Sequence, residues 1–188
     1  MKKLWERVFI ILAIFIAGFA FLRPQAKAVT TAAPIVVLSS DQSVSNDYVA
    51  AGNSITLSGT VSSGDAYVAG GTVLIDGTVD GDLLVAGGNI TITGTVNGNV
   101  RAAGGNIVLS GRVGKNFSVA AGNVTVGKDA TIGGNLVSFF GNLEDNGQVS
   151  GNMTLTGGHV SLGGTTQGNI DAKVAQLSFA KGRSLQEI

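Results

Sequence analysis

Residues 82–98 read DLLVAGGNITITGTVNG, and this stretch decides the fold because the chain repeats it. An interval of 17 residues separates three sets of equivalent positions: Gly88, Gly105 and Gly122; Ala86, Ala103 and Ala120; Asn89, Asn106 and Asn123. A fixed internal period indicates an architecture in which each repeat is one structural unit stacked on the next.

The repeat extends over most of the chain. The unit Asn116 to Gly134 is two residues longer than 17, with the extra pair near Lys128-Asp129. The other units are residues 65–81, 99–115, 135–151 and 152–168, a looser first unit at 46–64 and a degraded one from Asn169 onward. Because one such unit cannot bury its apolar face alone, only the stack is expected to be stable.

Apolar and small polar residues alternate within each unit, as in Ile90-Thr91-Ile92-Thr93. This period of two is typical of a strand with one buried face, and the dense glycine argues against a helix. We expect three short strands per unit, near residues 83–86, 89–93 and 95–96. Stacking then predicts four inward columns: Ile55, Val73, Ile90, Ile107, Val124, Leu143, Val160 and Leu177; Leu57, Ile75, Ile92, Leu109, Val126, Leu162 and Phe179; Val61, Val79, Val96, Val113, Ile132 and Val149; and Val49, Val68, Val85, Ala102, Val119 and Leu155.

The corners between strands carry glycine pairs and asparagines. We interpret the glycines as residues that reach the backbone angles of tight corners without penalty. The asparagines are expected to tolerate the left-handed region and to hydrogen-bond between coils as an amide ladder. The predicted ladder consists of Asn53, Asn89, Asn106, Asn123 and Asn142.

The composition excludes several classes of protein. The absence of Cys excludes disulfides, thiol nucleophiles and cysteine-based zinc sites, while 29 Gly with only 2 Pro argues against collagen. Residues 1–28 hold five basic residues and one acidic residue, which leaves 7 basic and 11 acidic residues in the remainder. This mildly acidic body gives no electrostatic reason to bind nucleic acid.

The first 28 residues have the layout of a secretory signal peptide. A basic start is followed by the apolar run Val8 to Leu22, and Ala26 and Ala28 form a small-x-small cleavage site before Val29. The alternative is an uncleaved anchor in the membrane, although the run is shorter than the ~20 residues that span a bilayer. Both predict that the body lies outside the cytoplasm, as a periplasmic, surface or secreted protein.

The rest of the chain divides into three parts. Residues 29–45 are predicted to be a connector or N-terminal cap, with a first strand at Ile35 to Leu38. Residues 46–180 are predicted to form a β-solenoid of seven to eight coils, and residues 181–188 a short tail.

Two stretches, residues 85–98 and 126–135, resemble bactofilins, the bacterial polymer-forming cytoskeletal proteins, through their G-T-V-x-G rhythm. The resemblance covers roughly residues 46 to 180. It implies a right-handed, three-sided β-helix that polymerises end to end without nucleotide and organises the cell envelope. Typical bactofilins are cytoplasmic, whereas this chain begins with an export signal, so the resemblance implies an exported relative.

Few residues suggest chemistry. His159 is the only His and lies at a corner, so we interpret it as a corner residue rather than the base of an acyltransferase. Asp145 falls where the second column requires an aliphatic residue, for which we expect a bulge; a corner cap or a site are the alternatives. Asp80 and Asp82 flank Gly81 without building the carboxylate cluster of a polysaccharide lyase. We therefore predict no catalytic residue, metal or cofactor.

Phe139 and Phe140 stand where other coils have Ala and Gly, which suggests a patch for self-association or a partner. The alternative is that one ring points inward. The sequence as a whole predicts a structural, non-enzymatic protein whose partner is a further copy of itself. The alternatives are a surface adhesin or carbohydrate-binding solenoid and, after these, an acyltransferase or polysaccharide lyase.

Overall fold

The computed structural model describes residues 29–180. All regular secondary structure in this range is β-strand. Successive coils pair in parallel, with equivalent residues opposite each other, as Ile90 is opposite Ile107 and Ile107 opposite Val124. The prediction of an all-β solenoid with coils of about 17 residues is therefore confirmed. No helix among the described residues is long and apolar enough to span a bilayer.

The strands form two parallel sheets, and both run along the length of the solenoid. The first coil holds β1 (Val29–Ala32), β2 (Ile35–Leu38) and β3 (Ser43–Val44). Each later coil contributes one long strand to a ten-stranded sheet: β4 (Tyr48–Leu57), β6 (Ala66–Ile75), β8 (Leu83–Ile92), β10 (Val100–Leu109), β12 (Phe117–Val126), β14 (Leu136–Asp145), β16 (Met153–Leu162) and β18 (Ile170–Phe179). The eight-stranded sheet consists of β3 and seven further two-residue strands: β5 (Thr60–Val61), β7 (Thr78–Val79), β9 (Thr95–Val96), β11 (Arg112–Val113), β13 (Thr131–Ile132), β15 (Gln148–Val149) and β17 (Thr165–Thr166).

Residues 29–45 belong to the stack. Strand β1 pairs with the first half of β4, and β2 pairs with its second half. The predicted strand at Ile35–Leu38 is present. The eight long strands within residues 46–180 agree with the predicted seven to eight coils, and the coil formed by residues 29–45 brings the total in the described range to about nine.

Each long strand turns a corner of the solenoid. In β8, the inward side chains are Leu83 and Val85 before the corner and Ile90 and Ile92 after it, so the alternation shifts by one residue. Pairing with β10 skips Gly88 at this point. The two halves of the long strand and the short strand thus form three sides, although the first two predicted strands are continuous.

Five inward columns form the core. The first three predicted columns are confirmed, whereas the fourth begins with Ala50 rather than Val49. The prediction was wrong by one residue there because Ala50 and Val68 are 18 residues apart, not 19. The fifth column was not predicted from the sequence, and it consists of Tyr48, Ala66, Leu83, Val100, Phe117, Leu136, Met153 and Ile170. Each fully buried apolar side chain stabilises the fold by roughly 1.5–3 kcal/mol.

The corner glycines serve close packing rather than unusual backbone angles. Among the described residues only Ser63 is a non-glycine with positive φ, at 63°, and no described glycine lies in the left-handed region. A Cβ at Gly94 would collide with the carbonyl oxygen of Gly77, and one at Gly111 with that of Gly94. Glycine is therefore required because the backbone of the preceding coil occupies the space of a side chain.

The two-residue insertion is confined to one corner. Lys128 and Asp129 form an exposed turn, closed by a hydrogen bond from Ala130 N to Gly127 O at 3.0 Å. Thr131 then pairs with Arg112 in the regular register. The longer corner leaves room for the Cβ of Ala130, which is fully buried at the place that glycine holds in neighbouring coils.

We expect Gly111→Ala to destabilise the solenoid by about 1–3 kcal/mol, the usual cost of forcing extra atoms into a packed core. The neighbouring backbone oxygen cannot swing aside as a side chain would. Gly122→Ala is the control because its Cβ would lie 3.0 Å from Gly105 O, a milder contact. Thermal unfolding checks the prediction, and equal stability of both variants would contradict it.

Candidate functional site

Within residues 29–180, the core is open at the last coil. Strand β18 continues the inward columns, but Leu177 is 42% exposed, whereas Val160, one coil earlier in the same column, is 2% exposed. Ile170, Ala172, Val174 and Phe179 are only partly buried. Within residues 29–180, β18 pairs with β16 alone, so its other edge offers free N–H and C=O groups. Such an edge is a template for a further strand.

The first coil presents a different surface. Val36 and Leu38 point inward and are 2% and 6% exposed, whereas Ile35 and Val37 point outward and are 70% and 55% exposed. Strands β1 and β2 pair only with β4 among the described strands. Among residues 29–180, the first and last coils thus share an unpaired edge, but only the last coil leaves its core columns uncovered.

The two phenylalanines of β14 point in opposite directions. Phe139 is 53% exposed, whereas Phe140 is 7% exposed and packs in the core. The ring of Phe140 lies over Gly157, where a Cβ would come within 2.6 Å of it. The exposed surface therefore consists of one ring rather than two, and the self-association role stays a prediction for Phe139 alone.

Asp145 is a corner residue in the core. It pairs with Val126 and Leu162 in unbroken register, so the expected bulge is wrong. The side chain is 1% exposed, and its Oδ1 accepts a hydrogen bond from Gly147 N at 3.2 Å. This bond to the backbone of the following corner stabilises a buried carboxylate and matches the capping alternative.

Ser138 was not singled out by the sequence analysis. It occupies the fourth column between Val119 and Leu155 and is 1% exposed. Its Oγ has no hydrogen-bond partner among the described residues. A buried hydroxyl without a partner lowers stability. Phe140 and Asp145 are further unusual core residues of the same strand. The coil of β14 is therefore the one whose buried residues depart most from those of the other coils.

The amide ladder is present over four coils. Hydrogen bonds of 2.7–2.9 Å join Asn89, Asn106, Asn123 and Asn142 through their side-chain amides. His159 continues the row opposite Asn142, which confirms that it is an exposed corner residue. Asn53 is not part of the ladder because Ser54 and Thr72 hold the equivalent positions.

A shallow groove of about 370 Å³ follows this ladder towards the last coils. Its wall holds amide, carboxylate, imidazole and hydroxyl groups, from Asn123, Asn142, Glu144, His159, Ser161 and Gln176. Glu144 is exposed and accepts a hydrogen bond from Asn146 Nδ2 at 2.8 Å. The arrangement can bind polar ligands by hydrogen bonds.

A second ladder, which the sequence analysis missed, runs along another corner. In each pair of neighbouring coils a side-chain oxygen accepts a hydrogen bond from the backbone N–H one coil further on, at 2.7–3.3 Å. The row consists of Asp47, Asp65, Asp82, Asn99, Asn116, Asn135, Asn152 and Asn169. Asp82 thus has a structural role as a member of this row. Asp80 is exposed, and its carboxylate accepts a hydrogen bond from Asn97 Nδ2 at 3.0 Å.

Charges interact along the acidic part of this row. Partial burial alone would raise the pKa of Asp82, but hydrogen bonds from Asn99 and Arg101 and the Arg101 charge lower it below its usual value. The Arg101 guanidinium lies 3.0 Å from Asp82 Oδ2. Burial raises the pKa of the Tyr67 hydroxyl, and the carboxylates of Asp65, Asp47 and Asp82 raise it further.

Within residues 29–180 no group of three or more His, Cys, Asp or Glu residues is arranged to hold a metal ion. The predicted cleavage site at Ala26 and Ala28 and the tail 181–188 lie outside the described residues. In comparisons with known proteins, no family model matches the chain, and no significant match was found among curated proteins or solved structures.

We expect acid to remove the stabilisation that Asp82 contributes. Because its folded-state pKa lies below the unfolded value, the contribution is present above about pH 4 and is lost as the pH falls through the folded pKa. Asp82→Asn keeps an acceptor for the corner, as Asn99 does one coil later, but it removes the charge.

The stability of Asp82→Asn should therefore fall less than that of the wild type between about pH 5 and about pH 3 in urea unfolding. The exposed Asp171 on the last coil provides the control Asp171→Asn. Parallel losses in Asp82→Asn and the wild type would contradict the assignment.

Proposed function

We propose that this chain is a structural, non-enzymatic protein that associates end to end into filaments or a scaffold. The observation that supports the proposal is the uncovered core at β18, where Leu177 is 42% exposed although its column is buried in the preceding coils. Adding another coil on this end would bury Leu177 and Phe179 and pair the edge of β18 that no other strand of residues 29–180 covers.

The energetics favour such growth. Exposed core side chains recover roughly 25 cal/mol per Å² of apolar surface when they are buried. The stack itself shows how the contact is made, because each coil already binds the next through parallel pairing and five apolar columns. Another copy therefore needs only to repeat a contact that this chain already makes internally.

The proposal includes two finer points. The resemblance of residues 85–98 and 126–135 to bactofilins supports a polymer-forming role, and the layout of residues 1–28 supports a place outside the cytoplasm. An exported relative of the bactofilins that organises the cell envelope would combine both.

We expect Leu177→Lys to abolish filaments, because a charged side chain in an apolar column cannot be buried without a large penalty. Gln176→Lys is the matched control, since Gln176 is exposed in the same strand and points outward beside the ladder. Negative-stain electron microscopy over a range of concentrations measures the outcome. Discrete rods at every concentration of the wild type would contradict the proposal.

A second candidate function is binding of polysaccharide in the polar groove between Asn123 and Gln176, which offers hydrogen-bonding groups on an outer face. Retention of the protein on insoluble cellulose or chitin would support it. We expect Asn142→Leu to reduce retention and Thr93→Leu, exposed on the same side but outside the groove, to leave it unchanged. If the wild type is not retained, this candidate is wrong.

A further inference from the structure

One outer side of the solenoid is apolar over several coils. It is formed by the outward side chains in the first halves of the long strands, and we call it the alanine face. Its first column is Val49, Tyr67, Leu84, Arg101, Ser118, Val137, Thr154 and Asp171. Its second column is Ala51, Ala69, Ala86, Ala103, Ala120, Phe139, Thr156 and Lys173.

The side that bears the amide ladder is more polar, because most of its outward residues are Asn, Thr and Ser and only Leu74 and Val108 interrupt its outward column with apolar side chains. Val49, Tyr67, Leu84 and Val137 are half-buried, and Phe139 is the most exposed large apolar side chain of the face at 53%. A contiguous apolar patch of this kind on a soluble surface marks an interaction site. Of the three charged residues, Arg101 is paired with Asp82, while Asp171 and Lys173 lie on the last coil.

The shape of the alanine face has two complementary features. Phe139 projects from the coil of β14, and a concavity of about 220 Å³ lies over the coils of β4 to β10. The concavity is lined by the apolar groups of both columns, with Tyr67 and Leu84 on one side and Ala69 and Ala86 on the other. One face thus carries both a projecting ring and a recess for a ring.

We propose that two copies of this chain pack laterally through their alanine faces, with their long axes antiparallel. A two-fold axis parallel to the strands, between Ala103 and Ala120, places Phe139 of one copy over Ala86 of the other and Val137 over Leu84. The relation is reciprocal, as in other two-fold interfaces. Arg101 then faces Ser118, and Asp171 and Lys173 lie at the rim.

The area is sufficient for this contact. Eight overlapping coils at about 4.8 Å and a side about four residues wide give roughly 500 Å² on each copy. The total of about 1,000 Å² reaches the lower limit for a specific interface. Parallel packing would instead place Phe139 against Val137 of the partner and leave both recesses empty, so the antiparallel arrangement fits the surface better.

Cross-linking tests the arrangement, because the chain has no Cys and a single introduced one is unique. In full-length protein, Ala120→Cys lies about one coil from its counterpart across the axis, whereas Ala51→Cys lies about seven coils, or roughly 34 Å, from its own. We expect a bismaleimide of about 8 Å to join two Ala120→Cys chains and not two Ala51→Cys chains. Equal cross-linking of both variants, or of neither, would overturn the proposal.

Two substitutions separate this contact from end-to-end growth. Phe139→Ser and Ala86→Glu should reduce the Ala120→Cys cross-link at least tenfold, whereas Thr93→Glu, exposed on another side of the same coil as Ala86, should not. In the Leu177→Lys background, sedimentation velocity should show a dimer that Phe139→Ser converts to a monomer. Circular dichroism confirms that each variant keeps its β-structure.

The two proposals fail in different ways. If Leu177→Lys leaves the filaments intact, the end-to-end contact is wrong, but the cross-links still report the lateral one. If the protein stays monomeric and instead binds vesicles of phosphatidylglycerol and phosphatidylethanolamine in a Phe139-dependent manner, the alanine face contacts lipid and the lateral pairing is overturned.

Discussion

The structure depends on the parallel pairing of each coil with the next, in which equivalent strand residues lie opposite each other. Because the neighbour of a side chain is the same position one coil away, each choice of residue is made for a whole column. Apolar residues stack into five inward columns, Asp and Asn side chains accept hydrogen bonds from the backbone of the next coil, and glycine stands where the backbone of the preceding coil occupies the space of a side chain. The period of 17 residues is the sequence record of this pairing.

The period allowed most of the interior to be predicted. Three columns could be predicted from the spacing alone. In each coil their residues stand at the same place in the alternating apolar and polar pattern of a strand. The errors at Val49 and Asn53 occurred where the first full coil is one residue longer, because a constant interval cannot show which corner holds the addition. The fifth column was missed since it begins each long strand, directly after a polar corner, and its residues range from Ala66 to Phe117.

The candidate sites were less predictable because they arise from departures from the repeat. Asp145 interrupts an aliphatic column in the sequence, and only the structure shows that its side-chain oxygen accepts a hydrogen bond from Gly147 N. Phe139 and Phe140 are adjacent, and their opposite directions depend on where the corner falls in β14. The alanine face could not be predicted because it depends on Val49, Tyr67 and Leu84 lying in one outer column. The spacing indicates this column only once the register of β4 is known.

The corner at Lys128 and Asp129 shows where such a rod can acquire new parts. Two additional residues leave the surface there, and the register of Thr131 with Arg112 is restored at once. The inward columns and the strand pairing stay intact, because the inserted residues leave and rejoin the coil at the same corner. Duplication of whole units would lengthen the rod, whereas insertions at this corner would add a side loop at a fixed height. The same position is the natural place to graft an epitope or an affinity tag.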